Sequence, residues 1–181
     1  MKFTLLIREN LINLLIPLGI MICAILMRLA PHPPNFTPIL AIGLFSGYAI
    51  TDKRISWVLP LVIMFVSDFF IGFHSLMSWV YVSIIACSLI GQAINRDSLV
   101  PSVVGRSFVA SLLFFLVTNF GVWIQSSTFY AKNVAGLIQC YVAGIPFFGY
   151  TVMSTCLYSF VIFSGYGLVK KALAHQTSSR S

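Results

Sequence analysis

A polytopic bundle of six transmembrane helices, forming one all-α domain over residues 1–181, is the fold this sequence predicts. Three observations lead to it. The residues are 59% hydrophobic and only 8% charged, whereas a soluble domain carries roughly 25% charged residues. The apolar residues come in six blocks, parted by Pro, Gly and charged stretches, and about 20 apolar residues span a bilayer core as a helix. The basic residues collect in alternate connections between those blocks.

Taken in order, the predicted spans run from Leu11 to Leu29, Phe36 to Thr51, Trp57 to Phe73, Leu76 to Ile94, Ser107 to Ile124 and Gln139 to Val169. Lys2, Arg8 and Glu9 precede the first as the charged head of a secretory signal does. No small-x-small cleavage site follows before Met27-Arg28, so a retained helix is expected. The second span starts after Pro31-His32-Pro33-Pro34, where missing amide donors and restricted dihedrals stop a helix. Spans three and four are joined by the tight Gly72-Phe73-His74-Ser75 connection. Gly144, Pro146 and Gly149 predict a kink in the last span.

Six crossings place the N-terminus, the second and fourth connections and the C-terminus on one side. That side holds nine basic residues, Lys2, Arg8, Lys53, Arg54, Arg96, Arg106, Lys170, Lys171 and Arg180, against Arg28 and Lys132 on the other. Short cytoplasmic segments are enriched in Lys and Arg, so both ends are expected in the cytoplasm. The net charge of +7 is accounted for by topology. No basic helix or aromatic-basic motif gathers the charges for nucleic acid, and none is expected as a partner. The four cysteines lie inside apolar blocks without CxxC spacing and are read as small packing residues. Gly43 and Gly47 form a GxxxG, and Ser83, Cys87 and Gly91 a second small-residue ridge. In lipid such ridges admit close helix contact, within the chain or with a partner.

Among the four acids, Glu9, Asp52 and Asp97 fall in cytoplasmic segments, which leaves Asp68 near the outer end of span three. A carboxylate there must be protonated, paired or reached by water, so it faces the bundle or an outer cavity. Two readings stand: an ion pair with Arg28, or an anchor for a ligand or cation. Asn119 lies at matching depth in span five, and Ser107, Ser111, Thr118 and Gln125 form a polar seam on the same helix. Arg28, His32, Asn35, Asp68, His74 and Asn119 all belong to the outer half, with Trp79, Trp123 and Phe73 as candidate apolar walls. Trp57, Trp79, Trp123 and Tyr130 also sit where interfacial aromatic rings do. His32 and His74 lack metal-ligand spacing and no metal site is assigned. Walker, Rossmann, GxSxG and zincin motifs are absent, so no cofactor, nucleotide site or catalytic residue is assigned and no enzyme is expected. An acid–base pairing of Asp68 with His74, and a purely structural subunit docking through the small-residue ridges, are the alternatives.

Two stretches, Arg28 to Ile39 with its RLAPHPPNFTPI run and Ser67-Asp68 followed by Gly72-Phe73-His74, carry a resemblance. They resemble an uncharacterised family of small six-helix bacterial membrane proteins, similar in turn to the substrate-binding S components of energy-coupling factor vitamin transporters. The resemblance implies a multi-pass protein of the bacterial cytoplasmic membrane. It would hold a small solute, vitamin-like or metal-related, in an extracytoplasmic pocket. It implies as partners the lipid bilayer and a transmembrane coupling subunit with ATPases. S components often dock through an AxxxA-type motif in the first helix; here Gly19 and Cys23 stand at that spacing.

The topology predicts that green fluorescent protein fused to either end fluoresces, and that alkaline phosphatase inserted after Lys132 is active. Activity of phosphatase fused at the ends, with none at Lys132, would reverse the orientation.

Overall fold

The computed structural model describes residue 19, residues 21–125 and residues 128–178, with side chains as far as residue 172. Leu11 to Leu18 of the first predicted span and the basic residues Lys2, Arg8 and Arg180 lie outside the described residues. Within them the chain is all-α, with six helices and no strand. They are α1 (21–29), α2 (Ile39–Ala49), α3 (Val58–Ile71), α4 (Met77–Gln92), α5 (Leu99–Gln125) and α6 (Val134–Ser178).

The helices differ from the predicted spans at their ends for local reasons. Pro38 delays α2 to Ile39, leaving only 11 residues, about 16 Å of helix. Gly72 ends α3 at φ 108°, a conformation open to glycine, and its amide donates to the Asp68 carbonyl at 2.8 Å. α5 starts eight residues before the predicted Ser107, with Pro101 in its first turn, where a missing amide costs no hydrogen bond. α6 runs through Pro146 without ending. Leu99–Gln125 and Val134–Ala172 are long and apolar enough to cross a membrane, while α2, α3 and α4 are shorter apolar helices.

α2 is the centre. From Ile39 to Gly47 every residue is buried, as expected of a helix that is apolar all round. α4 packs along one side of it, α6 along another, and α3 and α5 also touch it. Its approach to α4 is set by glycine. A Cβ added at Gly47 would collide with the backbone of Ser88 and Gln92, and one at Gly91 with the backbone of Leu44. The two small-residue ridges therefore pack on each other, Gly43 against Cys87 as well, and neither is left for a partner.

Around this apolar core many small polar side chains are turned inward and many large apolar side chains outward. On α3 the buried residues Pro60, Ile63, Met64, Ser67 and Asp68 follow helical spacing, while Phe65 and Phe69 on the opposite face are more than half exposed. On α5 and α6, Ser107, Ser111, Thr151, Ser154, Thr155 and Ser159 are buried, and Val100, Val134 and Phe160 are exposed. Ser107 donates to Ser159 across the α5–α6 contact at 3.1 Å. Ser111 donates to the Thr151 carbonyl of α6 at 3.5 Å, so two of the four residues of the predicted polar seam on α5 bond to a neighbouring helix.

A side chain at Gly91 must push backbone from backbone. Gly91→Ala is expected to lower stability by about 1–3 kcal/mol or more, whereas Gly149→Ala, which meets nothing within 4 Å, is expected to be neutral or stabilising. Thermal unfolding of the two purified variants checks this.

Candidate functional site

The site is built around Asp68. Helical register puts Asp68 on the buried face of α3, four residues after Met64, and its side chain is only 1% exposed. An ionised carboxylate cannot remain there unpartnered. Arg28, at the end of α1, donates from Nη2 to Oδ1 at 2.7 Å. Tyr81 of α4 donates its hydroxyl to Oδ2 at 2.9 Å. Both carboxylate oxygens are thereby engaged, and one group ties together α1, α3 and α4.

Tyr81 has no place in the sequence reading, yet a signal for it exists. Asp68 and Tyr81 stand equally far along the chain from the His74-Ser75 midpoint of the connection between α3 and α4. In two antiparallel helices joined by a short turn, such residues lie at the same level. The aromatic ring at Tyr81 conceals this among other apolar positions of α4.

Arg28 is less completely served than its partner. Nη1 turns to the Met64 thioether sulfur, a weak acceptor. Nε is buried and has no hydrogen-bond partner among the described residues. A buried donor left in that state costs about 1–3 kcal/mol, and more for a charged group.

Beside this cluster opens a cavity of about 690 Å³, within the range of small-molecule sites. It lies where α1, α3 and α5 end and α2, α4 and α6 begin. Arg28, His32, Asn35, Asp68, His74 and Asn119 all line it, so the 28–35 stretch, α3, the connection after it and α5 bring six sequence candidates to one cavity. Trp79 and Trp123 do not line it. Trp79 packs its ring on Gly121 and edge-on to Phe120, with centroids 5.8 Å apart. Trp123 donates from Nε1 to the Ala131 carbonyl at 2.9 Å and lies under the Lys132 ammonium. Phe73 is 62% exposed and faces Phe65. The apolar walls are instead Ile39, Leu40, Val80, Phe114, Val122 and Phe147. In sequence these are indistinguishable from the exposed apolar residues of the same helices.

The inner end of the cavity is formed by the proline-rich segment. Asn35 adopts φ 63°, a left-handed conformation that Asn tolerates, and its carbonyl accepts from Ser154 of α6 at 3.2 Å. Phe36 packs edge-on to Tyr158 at 5.9 Å. On α6 the lining runs from Cys140 to Thr151, about 16 Å of helix. His32 is held locally, with its ring nitrogens facing the carbonyls of Pro33 at 2.9 Å and Arg28 at 3.3 Å.

On the opposite wall Asn119 donates from Nδ2 to the Phe115 carbonyl at 2.8 Å. Its other amide atom, Oδ1, is an acceptor pressed toward Gly144, where a Cβ would collide with the carboxamide. Glycine at 144 thus makes room for Asn119. Thr118 and Thr151 also line the cavity and give their hydroxyl protons to backbone carbonyls of Phe114 and Phe147. Asp68 and His74 share the cavity, but the carboxylate is bound to Arg28 and Tyr81, which does not favour an acid–base pair.

Removing one partner of a buried ion pair strands the other, at about 3–5 kcal/mol. Asp68→Asn and Arg28→Gln should each lose close to that much, Tyr81→Phe about 1.5–3 kcal/mol, and the Arg28→Gln/Asp68→Asn double variant clearly less than the sum of the singles. Unfolding of the four variants reads the coupling directly.

No match is found among curated proteins or among solved structures. A sequence model of one family matches residues 8–177, nearly the whole chain, and the protein therefore belongs to the family of unknown function DUF6580.

Proposed function

We propose that this protein is a multi-pass protein of the cytoplasmic membrane, S-component-like, that binds a small solute in an outward-facing cavity for transport. The observation that carries the reading is the convergence of Arg28, His32, Asn35, Asp68, His74 and Asn119 on one cavity with aliphatic and aromatic walls. Small-molecule sites combine such walls with a few placed polar groups.

The membrane part of the proposal is supported by the many large apolar side chains left exposed on the outer faces of the helices, while serine, threonine and an ion pair are buried within. It is supported too by the two helices of membrane-crossing length. The shortness of α2 is compatible with six crossings. Irregular backbone is tolerated at membrane depth where it lines a cavity, and the segment before α2 does so through His32, Asn35 and Thr37. The outward direction follows from the charge bias, because the cavity lies at the end opposite Lys53, Arg54 and Arg96. Without a nucleotide-binding motif, uptake against a gradient would need a partner, and the resemblance points to a transmembrane coupling subunit with ATPases.

Protein in lipid nanodiscs, heated with a panel of vitamins and other small metabolites, tests the reading. A ligand at a hundredfold excess over Kd stabilises the folded state by about 2.7 kcal/mol, or roughly 5–10 °C in Tm for a chain of this size. At least one solute is expected to do so in the wild type and not in Ala143→Phe, which fills the cavity. The proposal fails if no solute stabilises the protein and Ala143→Phe leaves cellular uptake unchanged.

A further inference from the structure

We infer that the bound solute presents an oxyanion, of the carboxylate class, to Arg28; this rests on the proposed binding role of the cavity and names the chemistry of its ligand. The inference comes from counting which donors and acceptors are already committed. Asp68 is the one acid among the lining residues, and both its oxygens are used, by Arg28 and by Tyr81. A metal ion or an amine would have to share with Arg28 a carboxylate that is already paired and only 1% exposed. Among the described residues no group of three His, Cys, Asp or Glu side chains is placed to hold a metal.

The cation is in the opposite position. A guanidinium carries five N–H donors in a planar fork matched to two oxygens. Asp68 does not fill that fork, because its second oxygen is turned to Tyr81. One Nη faces only sulfur, and Nε has no acceptor. Arg28 is thus attached to Asp68 through a single nitrogen, and its side chain lines the cavity with donors to spare. Tyr81 is the positioning residue: by occupying Oδ2 it keeps Asp68 from consuming the second guanidinium donor. The Asn119 carboxamide, with one Nδ2 proton given to Phe115, keeps a second N–H and Oδ1 for polar groups of the solute. Between these two groups the walls are mainly apolar, with Ile39, Leu40, Val80, Phe114, Val122 and Phe147, so the ligand is an acid with an apolar or ring-bearing body.

The test is mass spectrometry of small molecules released from gently purified wild-type, Arg28→Lys and Tyr81→Phe proteins. It is joined by thermal shifts with benzoate, benzamide, benzylamine and zinc chloride as probes of the four chemistries. Arg28→Lys keeps a cation beside Asp68 but loses the fork, and Tyr81→Phe frees Oδ2 to compete for it. An acid recovered with the wild type and depleted about tenfold in both variants is expected, with benzoate alone among the probes raising Tm. If Arg28→Lys does not fold, Tyr81→Phe and the wild-type probe ranking still decide. A base, a neutral molecule or a metal retained by all three proteins overturns the anion assignment and leaves the cavity's binding role intact. No released molecule and no stabilisation by any probe or by the metabolite panel overturns both.

Discussion

Asp68 sits where water does not reach it, on the buried face of a helix whose other face is phenylalanine and valine. A charge there is tolerable only while its oxygens are satisfied, and the groups that satisfy them come from different helices. Arg28 must bring the end of α1 to it, and Tyr81 must bring the start of α4. The ends of three helices are therefore positioned by one carboxylate. The cavity opens beside that cluster and takes its only charged walls from it. Stability and site are thus coupled: the same ion pair that fixes the helix ends determines which donors remain for a ligand.

The rest of the bundle is organised by a different constraint, the absence of side chains at Gly47 and Gly91. Their contacts bring the backbones of α2 and α4 together more closely than any Cβ would allow. This draws α2 into the centre, enclosed by four other helices. A helix so placed need not be long, and the extended proline-rich segment ahead of it occupies the remaining depth. Because that segment cannot be helical, it leaves space beside α6 that a regular helix would fill. The inner end of the cavity is that space, with Asn35 and Phe36 held against Ser154 and Tyr158.

Much of this was legible in residue order. The all-α class followed from long apolar blocks, and the existence of each helix from their breakers. The gathering of Arg28, His32, Asn35, Asp68, His74 and Asn119 followed from depth alone, since residues near the same ends of antiparallel helices must be neighbours. Helix ends were less legible where a proline or glycine acts locally, as at Pro38 and Pro101. Trp79 and Trp123 show the limit of assigning walls by residue type. A tryptophan near a helix end has a large surface to bury, and here one ring fills the gap over Gly121 and the other the contact with Lys132.

By itself, then, the sequence determined that apolar helices form, where they break, and which end of the chain's fold collects polar side chains. These depend on local composition, on proline and glycine geometry, and on chain connectivity. Only the tertiary structure decided that the two small-residue ridges face each other, that Asp68 shares its charge between Arg28 and Tyr81, and that Arg28 keeps unfilled donors. Those are matters of helix rotation and of distances within a few ångströms. Rotation about a helix axis is set by all the neighbours at once, and a linear pattern with apolar residues on every face does not record it.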